Sequence, residues 1–394
     1  HVSDGPLHVQ EVRDKRPMDD VFLNAMNQAG IPSNPDFNGV DQAGCGYYQF
    51  TQNNGRRWST ASAYLTPARS RTNLTIITHA ITQRVLFDGT QATGVEISRR
   101  GRKQTIQGAH VILSGGAVAS PQLLEVSGVG DGERLRSLGI DVVHHAPDVG
   151  EHLQDHILCK VVYATQPEHS INREVQGLRL IPAALRWFFL REGPLTTGSA
   201  PVGAFCHTRD GLEAPDVQIH FASGGTLYNN AGKIRALKQP AVTAVVNQSR
   251  PESRGSIHAK SSDIADAPVI AANYLSSALD RDTLLRGMRI LLNIFDQSEL
   301  QPYLNGRLSP DIETDLNDDE ALMAYIRREA STVYHPTSTC SIGKVVDENL
   351  RVMGVEGLSV IDASVMPYVV SGNTNAATIM LAEKGADHLL AGRR

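Results

Sequence analysis

Val111-Ile112-Leu113-Ser114-Gly115-Gly116-Ala117-Val118-Ala119-Ser120-Pro121-Gln122-Leu123-Leu124-Glu125-Val126-Ser127-Gly128-Val129-Gly130 is the stretch on which the reading of this chain turns. Three apolar residues in a row predict a short strand buried on both faces. They run into Ser114 and two glycines, where the backbone can turn sharply or approach a ligand. Ser120 can then cap a helix with Pro121 at its first position. That helix carries Leu123, Leu124 and Val126 until Gly128 and Gly130 end it. Strand, glycine turn and helix bring backbone N–H groups together where an anion can be held. Helix–strand packing alone also accounts for such glycines, so the stretch by itself leaves both readings open.

Upstream of it the pattern is of strands. Residues 74–78 and 81–87 are β-rich, an Asp88-Gly89 turn leads to 94–97, and a basic turn at 99–103 predicts a further hairpin. Nearer the start, Pro17 opens an amphipathic helix with Val21, Phe22, Ala25, Met26 and Ala29 on one face, stopped by Gly30 and Pro32. Downstream, 216–221 and 241–247 alternate, and 254–259 is a third strand candidate, which together predict a mostly antiparallel sheet. The period of two sets Gln218 and His220 against Val217, Ile219 and Phe221. The first pair is expected to face a cavity and the second set to pack on helices. Asp280 begins a long helix with Leu284, Met288, Leu291 and Phe295 at the spacing of one face. Residues 178–191 are apolar, with Trp187, Phe188 and Phe189 among Arg179, Arg186 and Arg191. A pocket lid or a membrane-surface helix would read this way, but a core-facing helix is the expectation. Residues 358–362 form a strand ending in an acid, and 376–390 have the length of a terminal helix.

The composition narrows the class. The chain has 394 residues, 41% hydrophobic and 20% charged, which is ordinary for a globular protein and enough for two domains. A net charge of −5 leaves no basic footprint for nucleic acid. The four cysteines, Cys45, Cys159, Cys206 and Cys340, lie far apart and form no C-x-x-C, so buried free thiols are expected for most of them. No apolar run reaches the roughly 18 residues that span a bilayer.

Two polar runs carry candidate chemistry: Val333-Tyr334-His335-Pro336-Thr337-Ser338-Thr339-Cys340 and Ser371-Gly372-Asn373-Thr374-Asn375. The proline after His335 biases it toward an extended or turn conformation. Imidazole titrates near neutrality and can take a proton from an alcohol. An asparagine can donate to the alkoxide that forms and can never be the base. A loop histidine and a helix cap would explain the same residues. In the loop at 148–156, His152, Asp155 and His156 have the donor atoms of a metal site, but no second half-site lies nearby, and no metal is expected.

The opening stretch from Gly116 to Gly130 also resembles, without a gap, the second signature of the glucose-methanol-choline (GMC) oxidoreductases. Phe37-Asn38-Gly39, Gly55-Arg56-Arg57-Trp58-Ser59, Ala63-Tyr64-Leu65, Val149-Gly150-Glu151-His152-Leu153-Gln154-Asp155-His156, Tyr334-His335-Pro336 and Ser371-Gly372-Asn373-Thr374-Asn375-Ala376 fall in the family's order. The branch containing bacterial choline dehydrogenases and alkanol dehydrogenases is the most similar. The resemblance implies an α/β (in parts α+β) fold, with an FAD-binding domain interleaved with a substrate domain on an antiparallel sheet backed by helices. It assigns 73–155 and 341–394 to the former, and 1–72 and 156–340 to the latter. It implies FAD-dependent oxidation of an alcohol, expected to be primary and choline-like or an alkanol, to the aldehyde by hydride transfer to the flavin. His335 is then the base and Asn373 its partner. Thr82, Gly115, Gly116 and Ala117 lie on the adenosine side, Asp362 and Ala363 beside the ribityl chain, and Thr374 and Asn375 at the flavin. His220 aligns with a substrate-side histidine. Oxygen or a quinone would accept the electrons, in the bacterial cytoplasm or at its membrane face.

One departure stands out. The family's strand–G-x-G-x-x-G–helix is absent from the sequence, since Gly128-x-Gly130-x-Gly132 has the wrong spacing and follows a helix. The expectation is therefore a C-terminal fragment without the N-terminal dinucleotide-binding unit, unable to hold FAD tightly alone. A hydroxynitrile lyase of this fold and a non-catalytic fragment are the alternatives. A serine hydrolase would need a G-x-S-x-G elbow, and none is present.

Overall fold

The alternation at 216–221 and 241–247 belongs to two adjacent strands, Val217–Ala222 and Ala241–Gln248, of a seven-stranded sheet. Their neighbours are Gly44–Tyr47 and Val202–Cys206 on one side, Ile157–Thr165 and Leu304–Ser309 on the other. Each pairing along this path is antiparallel. The computed structural model describes residues 5–198, 200–228 and 234–391. The chain divides into two units: His1–Leu74, Ile157–Ser249 and Arg281–Ser331 form the first, and Thr75–His156, Arg250–Asp280 and Thr332–Arg394 the second.

In the first unit the sheet has the two unlike faces that a period of two requires. Phe221 stacks on Phe22 of helix Pro17–Gln28 at 4.0 Å, and Tyr163 stacks on Phe295 of helix Ala278–Phe295 at 4.8 Å. Leu284, Met288 and Leu291 of that long helix are fully buried, as its apolar stripe predicts. The register places Gln218 opposite Asn247, and His220 opposite Val245, on the other face.

The second unit has little regular sheet. Strands Ala80–Asp88, Gln91–Arg99 and Arg102–Gln107 form an antiparallel meander, and Val111–Leu113 pairs in parallel with Leu358–Val360. Leu113, Leu124, Val346, Leu350 and Val360 belong to its apolar core. Terminal helix Thr374–Ala391 comes close to this core through Gly385, where a Cβ would meet Ile361 at 2.9 Å. Gly150 has φ +82°, and a Cβ there would strike the Ile257 carbonyl, so the loop 148–156 needs glycine at that point.

Several expectations are corrected. Residues 74–78 form no strand, and Leu74, Ile76 and Ile77 are exposed. Ile112 is 47% exposed while Val111 and Leu113 are buried, so the strand is covered on one face only. The helix after the glycine turn starts at Gly116 and ends at Val126, so Pro121 is internal and Ser120 is not its cap. Proline has no N–H for the carbonyl one turn back, and that Ala117 carbonyl accepts the Thr339 hydroxyl instead, at 2.7 Å. Residues 254–259 contribute Ser256–His258, which pairs with Val269–Ala271 in the second unit and not with the large sheet. The apolar face of helix Leu180–Leu190 points outward rather than into the core, with Phe188 60% and Phe189 72% exposed. All four cysteines are buried free thiols, as expected.

Candidate active site

His335 is placed by its backbone. Residues 333–337 run antiparallel to 154–156: Val333 N–H donates to His156 C=O at 2.9 Å, and Thr337 and Gln154 exchange main-chain bonds of 2.8 and 3.2 Å. Tyr334 takes the left-handed conformation, φ +62°, just before. This turn delivers the His335 N–H to Asp155 Oδ1 at 2.8 Å. Asp155 Oδ2 accepts the hydroxyls of Tyr274 and Thr332, each at 2.5 Å. The carboxylate thus takes three donors that lock the turn.

The same pairing brings two imidazoles together. His335 Nδ1 lies 3.0 Å from His156 Nδ1, with the rings at 83° to each other. One proton fits between these nitrogens, so one ring donates and the other accepts. Asn373 Nδ2 lies 3.3 Å from His335 Nε2. An amide N–H toward Nε2 makes that nitrogen an acceptor, which assigns the proton of neutral His335 to Nδ1, directed at His156. Burial pushes the His335 imidazole below its ordinary pKa, and the Asp155 charge opposes this in part. His335 is only 8% exposed, so the neutral form prevails at neutral pH.

Asn373 stands directly before helix Thr374–Ala391, whose first-turn N–H groups have no intrahelical acceptors. The positive end of an 18-residue helix therefore adjoins the His335–Asn373 pair. Thr82 and Gly115 line one cleft of about 720 Å³, together with Ile81, His110 and Leu113. An adenosine-sized group is compatible with that volume. Gly116, Ala117 and Asp362 are engaged locally. Asp362 Oδ2 accepts from Gly116 N–H at 2.9 Å and Ser120 O–H at 2.5 Å, while Oδ1 accepts Ser364 N–H at 2.8 Å. Its buried carboxylate joins the strand end to the start of helix Gly116–Val126. Ala117 is buried, and its carbonyl is taken by Thr339. Ala363 follows in a short 3-10 turn and is partly accessible, while Asn375 in the first turn of helix Thr374–Ala391 is exposed. The cleft beside Thr82 and Gly115 and the N-terminus of helix Thr374–Ala391 are features with which a dinucleotide's adenosine and an anionic ring could be held.

His220 belongs to the first unit. It is half-buried on the polar face of the sheet, with the Tyr48 ring 5.2 Å away. Gln218, expected at a cavity, is fully buried and donates to the Tyr48 hydroxyl at 3.2 Å. His152 binds Asp148 at 2.6 Å and takes no part in the His335 cluster. Sequence reasoning gave Asp155 and His156 no role around His335. Their signal was present, an Asp-His pair closing a polar loop directly before a strand, but only the antiparallel pairing of 154–156 with 333–337 reveals it.

Two family models, both described as GMC oxidoreductase, match the chain, the N-terminal one over residues 1–158 and the C-terminal one over 251–382. The chain is 40% identical to mitochondrial choline dehydrogenase of Mus musculus over 98% of its own length and 65% of that protein's. It is 40% identical to an oxygen-dependent choline dehydrogenase of Yersinia pseudotuberculosis, over 99% of its own length and 69% of the relative's. Among solved structures, pyridoxine 4-oxidase from Mesorbium loti superposes with a TM-score of 0.85 at 26% identity, covering 98% of this chain and 72% of that one. Formate oxidase, at 21% identity and TM-score 0.88, covers 99% and 73% and shares the fold. The chain belongs to the GMC oxidoreductase family. The expectation of a C-terminal fragment without the family's N-terminal unit is corrected by the N-terminal match over residues 1–158. The chain spans about two thirds of the length of the choline dehydrogenases it matches, 65% of the mouse protein.

Proposed function

We propose that this chain oxidises a primary alcohol, choline-like or an alkanol, to the aldehyde with FAD, and that His335 is the base. The observation that carries the proposal is the buried, neutral His335 with its Nε2 lone pair 3.3 Å from the Asn373 amide, at the positive end of helix Thr374–Ala391. Relatives named choline dehydrogenase, 40% identical to the chain, support the substrate class. Bound FAD supplies the hydride acceptor. The residues do the rest. His335 Nε2 accepts the hydroxyl proton of the alcohol. Asn373 Nδ2–H donates to the same oxygen as its charge grows. His156 accepts from His335 Nδ1–H, holding the ring in the tautomer that leaves Nε2 free for the substrate. Asp155 fixes the backbone beneath the ring.

On this reading Thr82 and Gly115 take the adenine side, and Asn375, Thr374 and the main chain at Asp362 and Ala363 the flavin side. Gly116 and Ala117 shape the turn between strand and helix. The second unit is then the cofactor unit. The first, with His220 on its polar face, is the substrate unit, and oxygen or a quinone takes the electrons. Anaerobic addition of a primary alcohol series to the FAD-loaded protein tests the proposal. The expected result is stoichiometric bleaching of the flavin absorbance with aldehyde formed in equal amount. A flavin that stays oxidised while a cyanohydrin is cleaved would establish the lyase instead.

A further inference from the structure

Helix Leu180–Leu190 breaks the usual rule for a surface helix, because its outward face is apolar. Ile181, Leu185, Phe188 and Phe189 recur at one-face spacing and are 55%, 52%, 60% and 72% exposed. Leu178, just before the helix, is 84% exposed. The opposite face is the one that packs: Ala183 is buried, and the Trp187 indole N–H donates to the Gly55 carbonyl at 3.0 Å. The helix is therefore anchored to its own unit through its inner side and offers the outer side to something else.

The flanks are basic. Arg179 stands at the helix N-cap, Arg186 lies on the helix, Arg191 is its C-cap with its guanidinium 4.6 Å from the Trp187 ring, and Arg56 lies 5.9 Å from the same ring beside exposed Arg57. One acid, Glu192, pairs with Arg186 at 3.5 Å. A chain with net charge −5 has thus gathered arginines around its most apolar exposed segment. Among the described residues no helix is long and apolar enough to cross a membrane. An apolar stripe bordered by arginines, with a tryptophan beside it, suits a helix lying in the plane of a lipid interface. Arginine stems extend along the apolar surface while their heads reach phosphate.

We propose that helix Leu180–Leu190 docks the protein on an anionic phospholipid bilayer, with Ile181, Leu185, Phe188 and Phe189 entering the acyl boundary and Arg179, Arg186, Arg56 and Arg57 meeting lipid phosphates. The arginines select an anionic lipid surface over a second copy of this chain, which would have to present an acidic, apolar complement to them. Quinones dissolve in the bilayer, so the docked state also favours that electron acceptor, although the docking stands without it.

Co-flotation with mixed phosphatidylcholine–phosphatidylglycerol vesicles, set against pure phosphatidylcholine, tests this on the whole chain. The chain is expected to float with the anionic vesicles and to be released by high salt. Phe188→Glu with Phe189→Glu should reduce partitioning by at least roughly tenfold. Arg179→Gln and Arg186→Gln should each cost about fivefold on anionic vesicles. The thermal midpoint should be unchanged in all of them, since none of these side chains is buried. Absence of flotation, or equal flotation of the phenylalanine variant, would overturn the proposal. So would a phenylalanine variant that turns a dimer into a monomer while the parent ignores vesicles, for that result makes the face a subunit interface.

Discussion

The two units satisfy their backbones in different ways. In the first, a seven-stranded sheet pairs main chain with main chain, and one apolar face packs on two helices. In the second, long irregular segments are tied down by buried acceptor side chains. Asp155 takes the His335 N–H, Asp362 those of Gly116 and Ser364, Glu125 that of Ala259, and Asp280 those of Glu252 and Ser253. Gln154 Oε1 takes that of Val369. A sheet tolerates a change in one side chain because its ladder remains. A loop held by one carboxylate has no second support, since each buried N–H it loses stays unsatisfied. The polar residues that hold His335 in place are therefore also the ones that hold the fold around it.

This contrast can be broken by measurement. Asp362→Ala leaves two N–H groups and the Ser120 hydroxyl without their acceptor and should cost about 4 kcal/mol in urea unfolding. Val246→Ala, at a fully buried position in the sheet, should cost about 2 kcal/mol through a cavity. If the valine change proved the more damaging, the distinction between the units would fail. Asp155→Asn keeps one carbonyl oxygen and should also cost about 2 kcal/mol. It should in addition lower the His335 pKa further, because the Asp155 charge is what now raises it. The acid limb of the alcohol-dependent rate should then move to lower pH, a shift that no purely structural damage produces.

The smallest effect is on stability against pH. The His335 pKa is depressed below 6.5 in the folded chain. Its contribution is fully present above that value and is lost as the pH falls toward the folded pKa, because the unfolded chain takes up the proton first. His335→Gln should flatten the urea midpoint across that acid window and leave it unchanged in slope above neutrality.

What was legible in the sequence follows the same division. The strand at 217–221, its apolar face and the stripe from Leu284 to Phe295 are legible because period two and period 3.6 are written by the burial they cause, but the opposite face is covered at Gln218 where a cavity was expected. The apolar stripe of 178–191 was equally plain, but periodicity defines a face and not what covers it, so its outward direction could not be read. His335 and Asn373 were singled out from their polar context, and the fold sets them 3.3 Å apart. Asp155 and His156 were not connected to them, since a lone acid in a loop looks the same whether it is solvated or bound to a backbone N–H distant in sequence. The resemblance places Asp362 beside the cofactor, and what only the fold shows is that its carboxylate also binds Gly116, Ser120 and Ser364.

The central claim is that His335 takes the proton of the alcohol. Rapid anaerobic mixing of the FAD-loaded protein with a primary alcohol gives the rate of flavin bleaching, and the comparison is with His335→Ala of equal flavin content and urea midpoint. The account predicts a rate lower by roughly 10²–10⁴. An unchanged rate in the alanine variant would contradict it and remove His335 from the chemistry.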